Sequence, residues 1–174
     1  MEKLFDDSLF IQKLRPTSIT EAQEEELYLR LAKEIVKFGY SEDSIEEIVD
    51  DLKELCEGSS GFEMAVILDK TGGNYTFSGD FINFLDSMFM KRSSILRENV
   101  VLWVQAHNPK PKFIKGTKLK VNKTLNSKIV ENDIVYVTGL NHEQAYYTLD
   151  ENPNRQGGTI IIYEKAEECC EVFK

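Results

Sequence analysis

The sequence predicts an α+β protein: an N-terminal helical bundle of about five helices, followed by a small antiparallel β-barrel or meander. Three observations carry that expectation. Between Thr20 and His107 apolar residues recur at steps of three or four, the repeat of one helix face. After Pro111 they recur at every second position, the repeat of a half-buried strand. Between these regions lies Asn108-Pro109-Lys110-Pro111-Lys112, whose prolines stop a helix and make a short, stiff connector. The expected division is an acidic helical domain over residues 1–108 and a small β domain with a C-terminal tail over residues 112–174.

The helical part is expected to open with a short helix from Leu4 to Leu14, ended by Pro16. Thr20-Glu21-Ala22-Gln23 is a capping-box pattern, in which the threonine oxygen accepts from a free backbone N–H and the glutamine reaches back. Leu27, Leu31, Ile35 and Phe38 then line one face, and Gly39 supplies a stop. Ser41 begins the next helix, with Tyr40 and Ile45 placed as a hydrophobic staple. Its stripe of Ile45, Ile48, Val49, Leu52, Leu55 and Cys56 faces away from a side filled by Asp and Glu, and Gly58 closes it.

Ser60-Gly61-Phe62-Glu63 repeats the capping-box pattern ahead of Met64-Ala65-Val66-Ile67-Leu68. That run is apolar on every side, so periodicity leaves helix and strand both open over residues 62–69. Thr71-Gly72-Gly73-Asn74 is a turn. Ser78 caps a helix with Phe81, Ile82, Leu85, Met88 and Phe89 inward, Asp80 at its start and Lys91 and Arg92 at its end, where they suit the helix dipole. A further helix is expected from about Ile95 to His107, with Leu96, Val100, Trp103 and Val104 inward.

Four strands follow: Lys118–Val121, Asp133–Gly139, Gln144–Leu149 and Gly158–Tyr163. The stretch Phe113–Val121, with a glycine just before a charged strand, resembles the first strand of SH3-like small barrels. The resemblance spans roughly residues 113–164 and rests on pattern. It implies a superfold and no function. The tail Glu171-Val172-Phe173-Lys174 is expected to pack back through Val172 and Phe173.

Composition narrows the function classes. Residues 1–110 hold 12 Lys/Arg against 21 Asp/Glu, and residues 111–174 hold 9 of each, so the whole net charge of −9 sits in the first part. Phosphate would be repelled there, which disfavours the first part as a nucleic-acid binder and leaves the second open. No apolar run is long enough to span a bilayer, and Met1–Asp7 lacks a basic start followed by an apolar stretch. A cytoplasmic location and no membrane partner are therefore expected. Cys56, Cys169 and Cys170 make neither a disulfide framework nor zinc spacing. No P-loop, dinucleotide glycine fingerprint or G-x-S-x-G occurs, and no cofactor is expected.

Two charged constellations remain. The first is the acidic surface of residues 21–57, with Glu46, Glu47, Asp50, Asp51 and Glu54 as its candidate protein-binding residues. One reading is an ordinary solvated helix face. The other is a surface imitating nucleic-acid charge that seats on a basic protein, a device used by small inhibitors from phages and mobile elements. The second is Lys110, Lys112, Lys115, Lys118, Lys120, Lys123 and Lys128, with no acid between His107 and Val130. Lys112, Lys115, Lys118, Lys120 and Lys123 are the candidate nucleic-acid contacts, near Phe113 in sequence and with Tyr136, Tyr146 and Tyr147 on other strands. An edge strand kept from aggregating by lysine, or one docked on acidic surface, explains them equally.

An enzyme would have to use His107 or His142, of which His107 suits a helix-end cap and His142 lies in a turn beside Glu143. Arg155, beside Gly157-Gly158, is a loop arginine able to grip an anion. Cys169 and Cys170 as nucleophiles are opposed by Glu167, Glu168 and Glu171, which raise a thiol pKa. The leading expectation is a non-enzymatic accessory or regulatory protein that binds a basic protein partner. The alternatives are a nucleic-acid-associated factor and an enzyme of unrecognised family that uses the His142 loop.

Overall fold

The structure is a computed structural model that describes residues 14–39, 44–54, 60–70 and 78–173. Helices α1 (Glu21–Val36), α2 (Ile45–Lys53), α3 (Gly61–Lys70) and α4 (Gly79–His107) precede strands β1 (Lys118–Val121), β2 (Ile134–Asn141), β3 (Tyr146–Asp150) and β4 (Thr159–Ile162). Helix α5 (Tyr163–Cys169) and strand β5 (Cys170–Val172) complete the chain. The α+β expectation holds. The molecule divides into two compact units, residues 1–99 and 100–174, and α4 contributes residues 79–99 to the first and 100–107 to the second.

In the first unit the capping signals act as their spacing predicts. The Gln23 N–H donates to Thr20 Oγ1 at 3.3 Å, and the Thr20 N–H donates to Gln23 Oε1 at 3.1 Å. Gly39, at φ +104°, follows the last turn of α1. At α3 the Ser60 N–H donates to Glu63 Oε2 at 2.7 Å, and the Glu63 N–H donates to Ser60 Oγ at 3.2 Å. This second box settles residues 62–69 as helix, with Met64, Ala65 and Leu68 buried. Leu27, Leu31 and Ile35 of α1, Ile48 and Leu52 of α2 and Phe81, Leu85 and Met88 of α4 share that core. Each such side chain stabilises the fold by about 1.5–3 kcal/mol.

Two expected helices prove to be one. The phenyl-rich segment after Ser78 and the segment ending at His107 form the continuous α4. Neither glycine nor proline lies between them, and Ser93 and Ser94 are exposed, so nothing interrupts the backbone ladder. Ser78 caps this helix by accepting from the Phe81 N–H at 3.1 Å. The expected Leu4–Leu14 helix, the Ser41 cap, the Tyr40 staple, Leu55, Cys56 and the Thr71–Asn74 turn lie outside the described residues, apart from an exposed Leu14.

Two close contacts join α4 to its neighbours within this unit. Gln23 and Asn99, both buried, exchange amide hydrogen bonds of 3.0 and 2.8 Å. Gln23 Oε1 thus serves the α1 cap and the α4 amide together. Gly61 packs so tightly on α4 that a Cβ would run into the Ile82 carbonyl oxygen, and its N–H donates to the Asp86 carboxylate.

The second unit holds a five-stranded antiparallel sheet in the order β4-β3-β2-β1-β5. Its first four strands form the expected meander. The sheet is not closed into a barrel, because β4 and β5 are its two edges. A bulge between Val137 and Gly139 bends β2. There the buried Thr138 hydroxyl reaches the Thr148 and Gly157 carbonyl oxygens at 3.0 and 2.8 Å. The tail returns to the sheet, but by backbone pairing and not by burial of its last side chains. The Phe173 N–H donates to Lys118 O at 2.9 Å, while Val172 and Phe173 remain 54% and 41% exposed. Cys169 and Cys170 are the buried residues there.

The Asn99→Leu variant should lose about 1–3 kcal/mol of stability, because it removes both buried amide hydrogen bonds that Asn99 exchanges with Gln23. Gly61→Ala should lose a similar amount through overpacking, although alanine is the better helix former. Urea unfolding measures both, and a Gly61→Ala protein more stable than the parent would refute the close helix approach.

Candidate functional site

Helix α2 carries the acidic candidates opposite its buried stripe. At 100° per residue, Glu46, Glu47, Asp50, Asp51 and Glu54 fall within an arc of about 140°. Glu46, Glu47, Asp50 and Glu54 are exposed and Asp51 is half-buried. Asp50 accepts an exposed ion pair from Lys53 Nζ at 2.8 Å, which raises the Lys53 pKa, first through that hydrogen bond. The acids of α1 differ. Glu24 pairs with Arg92 at 3.1 Å, Glu34 pairs with Lys91 at 2.8 Å, and Glu26 pairs with Arg30. Of the α2 acids, Glu46, Glu47 and Glu54 have no ion-pair partner among the described residues.

The lysine candidates spread over a loop, a strand and a turn. Lys112 and Lys115 lie exposed before β1. Lys118 and Lys120 project from one face of β1, alternating with the buried Leu119 and Val121. Lys123 is drawn to Glu168 Oε1 at 3.0 Å, an exposed pair whose hydrogen bond raises the lysine pKa. Among the described residues, Lys112, Lys115, Lys118 and Lys120 have no ion-pair partner. Strand register decides which aromatics accompany them. Tyr136 stands directly opposite Lys118, and Ile134 opposite Lys120, so all four share the outer face. Tyr146 is on that face too, but it pairs with Asn141, five residues along β2 and about 16 Å from Tyr136. Phe113 and Tyr147, the other two candidates for base stacking, are buried and pack ring to ring at 5.7 Å.

Beneath the lysines lies a polar node that periodicity does not disclose. The Tyr147 hydroxyl donates to Glu167 Oε1 at 2.7 Å and accepts from the Phe113 N–H at 3.0 Å. The same Glu167 oxygen accepts from the Lys112 N–H at 2.8 Å. Tyr163 packs on the Tyr147 ring, tilted by 45° with centroids 4.5 Å apart. Burial pushes both phenols up, with the Glu167 charge acting in the same direction. The only sequence signal was an acid-rich segment, Glu164–Glu171, following a strand of isoleucines.

The residues weighed for catalysis are not brought together. His142 and Glu143 are exposed in the β2–β3 turn, with His142 Nδ1 3.4 Å from the Tyr163 hydroxyl. Arg155 lies in the β3–β4 connection and pairs with Asp150 at 3.3 Å, so the length of β3, about 17 Å, separates it from His142. His107 is exposed, stacked on Trp103 at 4.9 Å, with Nδ1 3.0 Å from the Trp103 carbonyl oxygen, as suits a helix-end cap. Burial first, and Cys169 second, push the Cys170 thiol up to about 11. Burial thus takes the part the sequence assigned to the surrounding glutamates. A shallow concavity along α4, lined by Met90, Ser93, Ser94 and Arg97, holds none of these residues. Compared with known proteins, the chain matches no family model, no curated protein and no solved structure.

The raised thiol and phenol values have a consequence for alkaline stability. A group that binds its proton more tightly when folded stabilises the protein below its unfolded pKa and loses that effect as pH rises through the folded value. Stability should therefore fall as pH rises from 9, the ordinary thiol value here, to about 11. Urea midpoints across that range check this, and Cys170→Ala should flatten the slope.

Proposed function

We propose that this chain is a non-enzymatic accessory binding protein that recognises a basic protein surface through the carboxylates of α2. The observation that carries the reading is their spacing. Glu46–Asp50, Glu47–Asp51 and Asp50–Glu54 are like-charge pairs four residues apart along α2 and its C-cap residue, Glu54. Each costs about 0.2–0.5 kcal/mol in an isolated helix. A merely solvated face would be served as well by alternating signs, as α1 is by its ion pairs with Arg30, Lys91 and Arg92. Within this arc of like charge, Glu46, Glu47 and Glu54 have no ion-pair partner among the described residues, which supports an external cation as their counterpart. The sharper form of the reading is an inhibitor that occupies the nucleic-acid cleft of a basic protein, gaining on-rate from long-range attraction. The order of the sheet, with a helix before a last strand that returns beside the first, supports the SH3-like reading of the second unit.

Glu46→Gln, Glu47→Gln and Asp50→Asn together neutralise most of the arc. The triple variant should stay folded, with its stability in urea changed by no more than about 1 kcal/mol, because relief of like-charge repulsion is offset by loss of two first-turn acids and of the Asp50–Lys53 pair. It should bind a lysine- and arginine-rich peptide at least tenfold more weakly in titration calorimetry at low salt. Unchanged peptide affinity in the variant would overturn the proposal.

A further inference from the structure

We propose that the outer face of β1 and β2, built on Lys118, Lys120 and Tyr136 with Phe173 at its margin, is a second binding surface and takes single-stranded nucleic acid. It shares no residue with the α2 arc and stands or falls separately.

The argument begins with strand geometry. Lys118 and Lys120 are two residues apart on one face, so their stems leave the sheet about 6.7 Å apart. That is close to the phosphate repeat of an extended single strand. Neither ammonium has an ion-pair partner among the described residues, so both can neutralise phosphate. Cross-strand pairing sets the Tyr136 ring beside Lys118. On the other side of β1 the Lys118 ammonium lies 4.3 Å from the centroid of the Phe173 ring, which is 41% exposed. Cations interleaved with aromatic rings are what a single strand needs, because its unstacked bases offer a π-face that stacks on such rings. A duplex keeps its bases stacked and is read by an element that enters a groove, which a four-residue strand between two others cannot do. An acidic peptide would use the lysines and leave the rings unused.

Two carboxylates share the face. Asp150 stands opposite Tyr136, but its side chain is 13% exposed and held by Arg155. Glu171 stands opposite Lys120 and is exposed. It marks the boundary of the surface and weakens it, which gives the proposal a variant of opposite sign.

The test is fluorescence anisotropy of a labelled oligothymidylate against the full chain, as salt rises from low to physiological. Lys118→Gln with Lys120→Gln should weaken binding about tenfold or more. It should also lower the log–log salt slope by about 1.4, at about 0.7 per phosphate contact on a single strand. Tyr136→Leu, which keeps apolar bulk on the sheet, should weaken binding about fivefold or more with the slope unchanged. Glu171→Gln should tighten it. Circular dichroism confirms that each variant is folded. No binding at low salt overturns the proposal, as does a salt slope that survives the double lysine variant. Binding of duplex DNA or poly-glutamate as tightly as the single strand also overturns it.

Discussion

The hydroxyl of Tyr147 lies in the interior of the sheet unit, where an unpaired polar group costs about 1–3 kcal/mol. Its donor and acceptor capacity are both used. The hydrogen goes to Glu167 of α5, and the lone pair takes the N–H of Phe113, just ahead of β1. One buried phenol on β3 thus holds the segment before the first strand and the helix before the last. With α5 held there, the chain leaves it at Cys170 in an extended conformation and pairs with β1. The place of β5, the burial of both cysteines and the accompaniment of Lys118 by Phe173 follow from this node. Replacing the phenol would leave Glu167 and the Phe113 N–H each short of a partner.

The helical unit uses a comparable device. Gln23 closes the capping box at the start of α1 and also exchanges hydrogen bonds with Asn99 near the middle of α4. A local signal and a contact 76 residues apart in sequence share one side chain. Apolar packing alone tolerates sliding between helices, whereas a buried amide pair accepts one register and penalises others. Gly61 adds a steric limit, since its missing side chain lets α3 approach the α4 backbone and place its N-terminus on Asp86.

These internal demands sort the charges. The acids of α1 facing α4, and Glu167 and Glu168 of α5, serve contacts inside their own units. Among the described residues, two clusters left outward without ion pairs are Glu46, Glu47 and Glu54 at α2 and the lysines of β1. The two proposals use these leftovers, and each draws on the same physical contrast: charge that structure has not already matched is charge available to a ligand.

The sequence by itself determined the local elements. Thr20 and Ser60 with their N3 partners, the period of α1 and α2, the two prolines and the alternation of Lys118–Val121 each act within a few residues, so each is visible in the order of the chain. It left open whether residues 62–69 were helix or strand, and it divided α4 in two, because Lys91 and Arg92 read as the basic end that suits a helix dipole. The α2 acids were legible as a surface, and the alternating lysines as a strand. Tertiary structure alone decided that Tyr136 stands beside Lys118 while Tyr147 is core, that Lys123 is matched by Glu168, and that α5 and β5 complete the sheet. Register and burial are set by partners far along the chain, and a one-residue slip in pairing would exchange the two faces of a strand without changing its sequence.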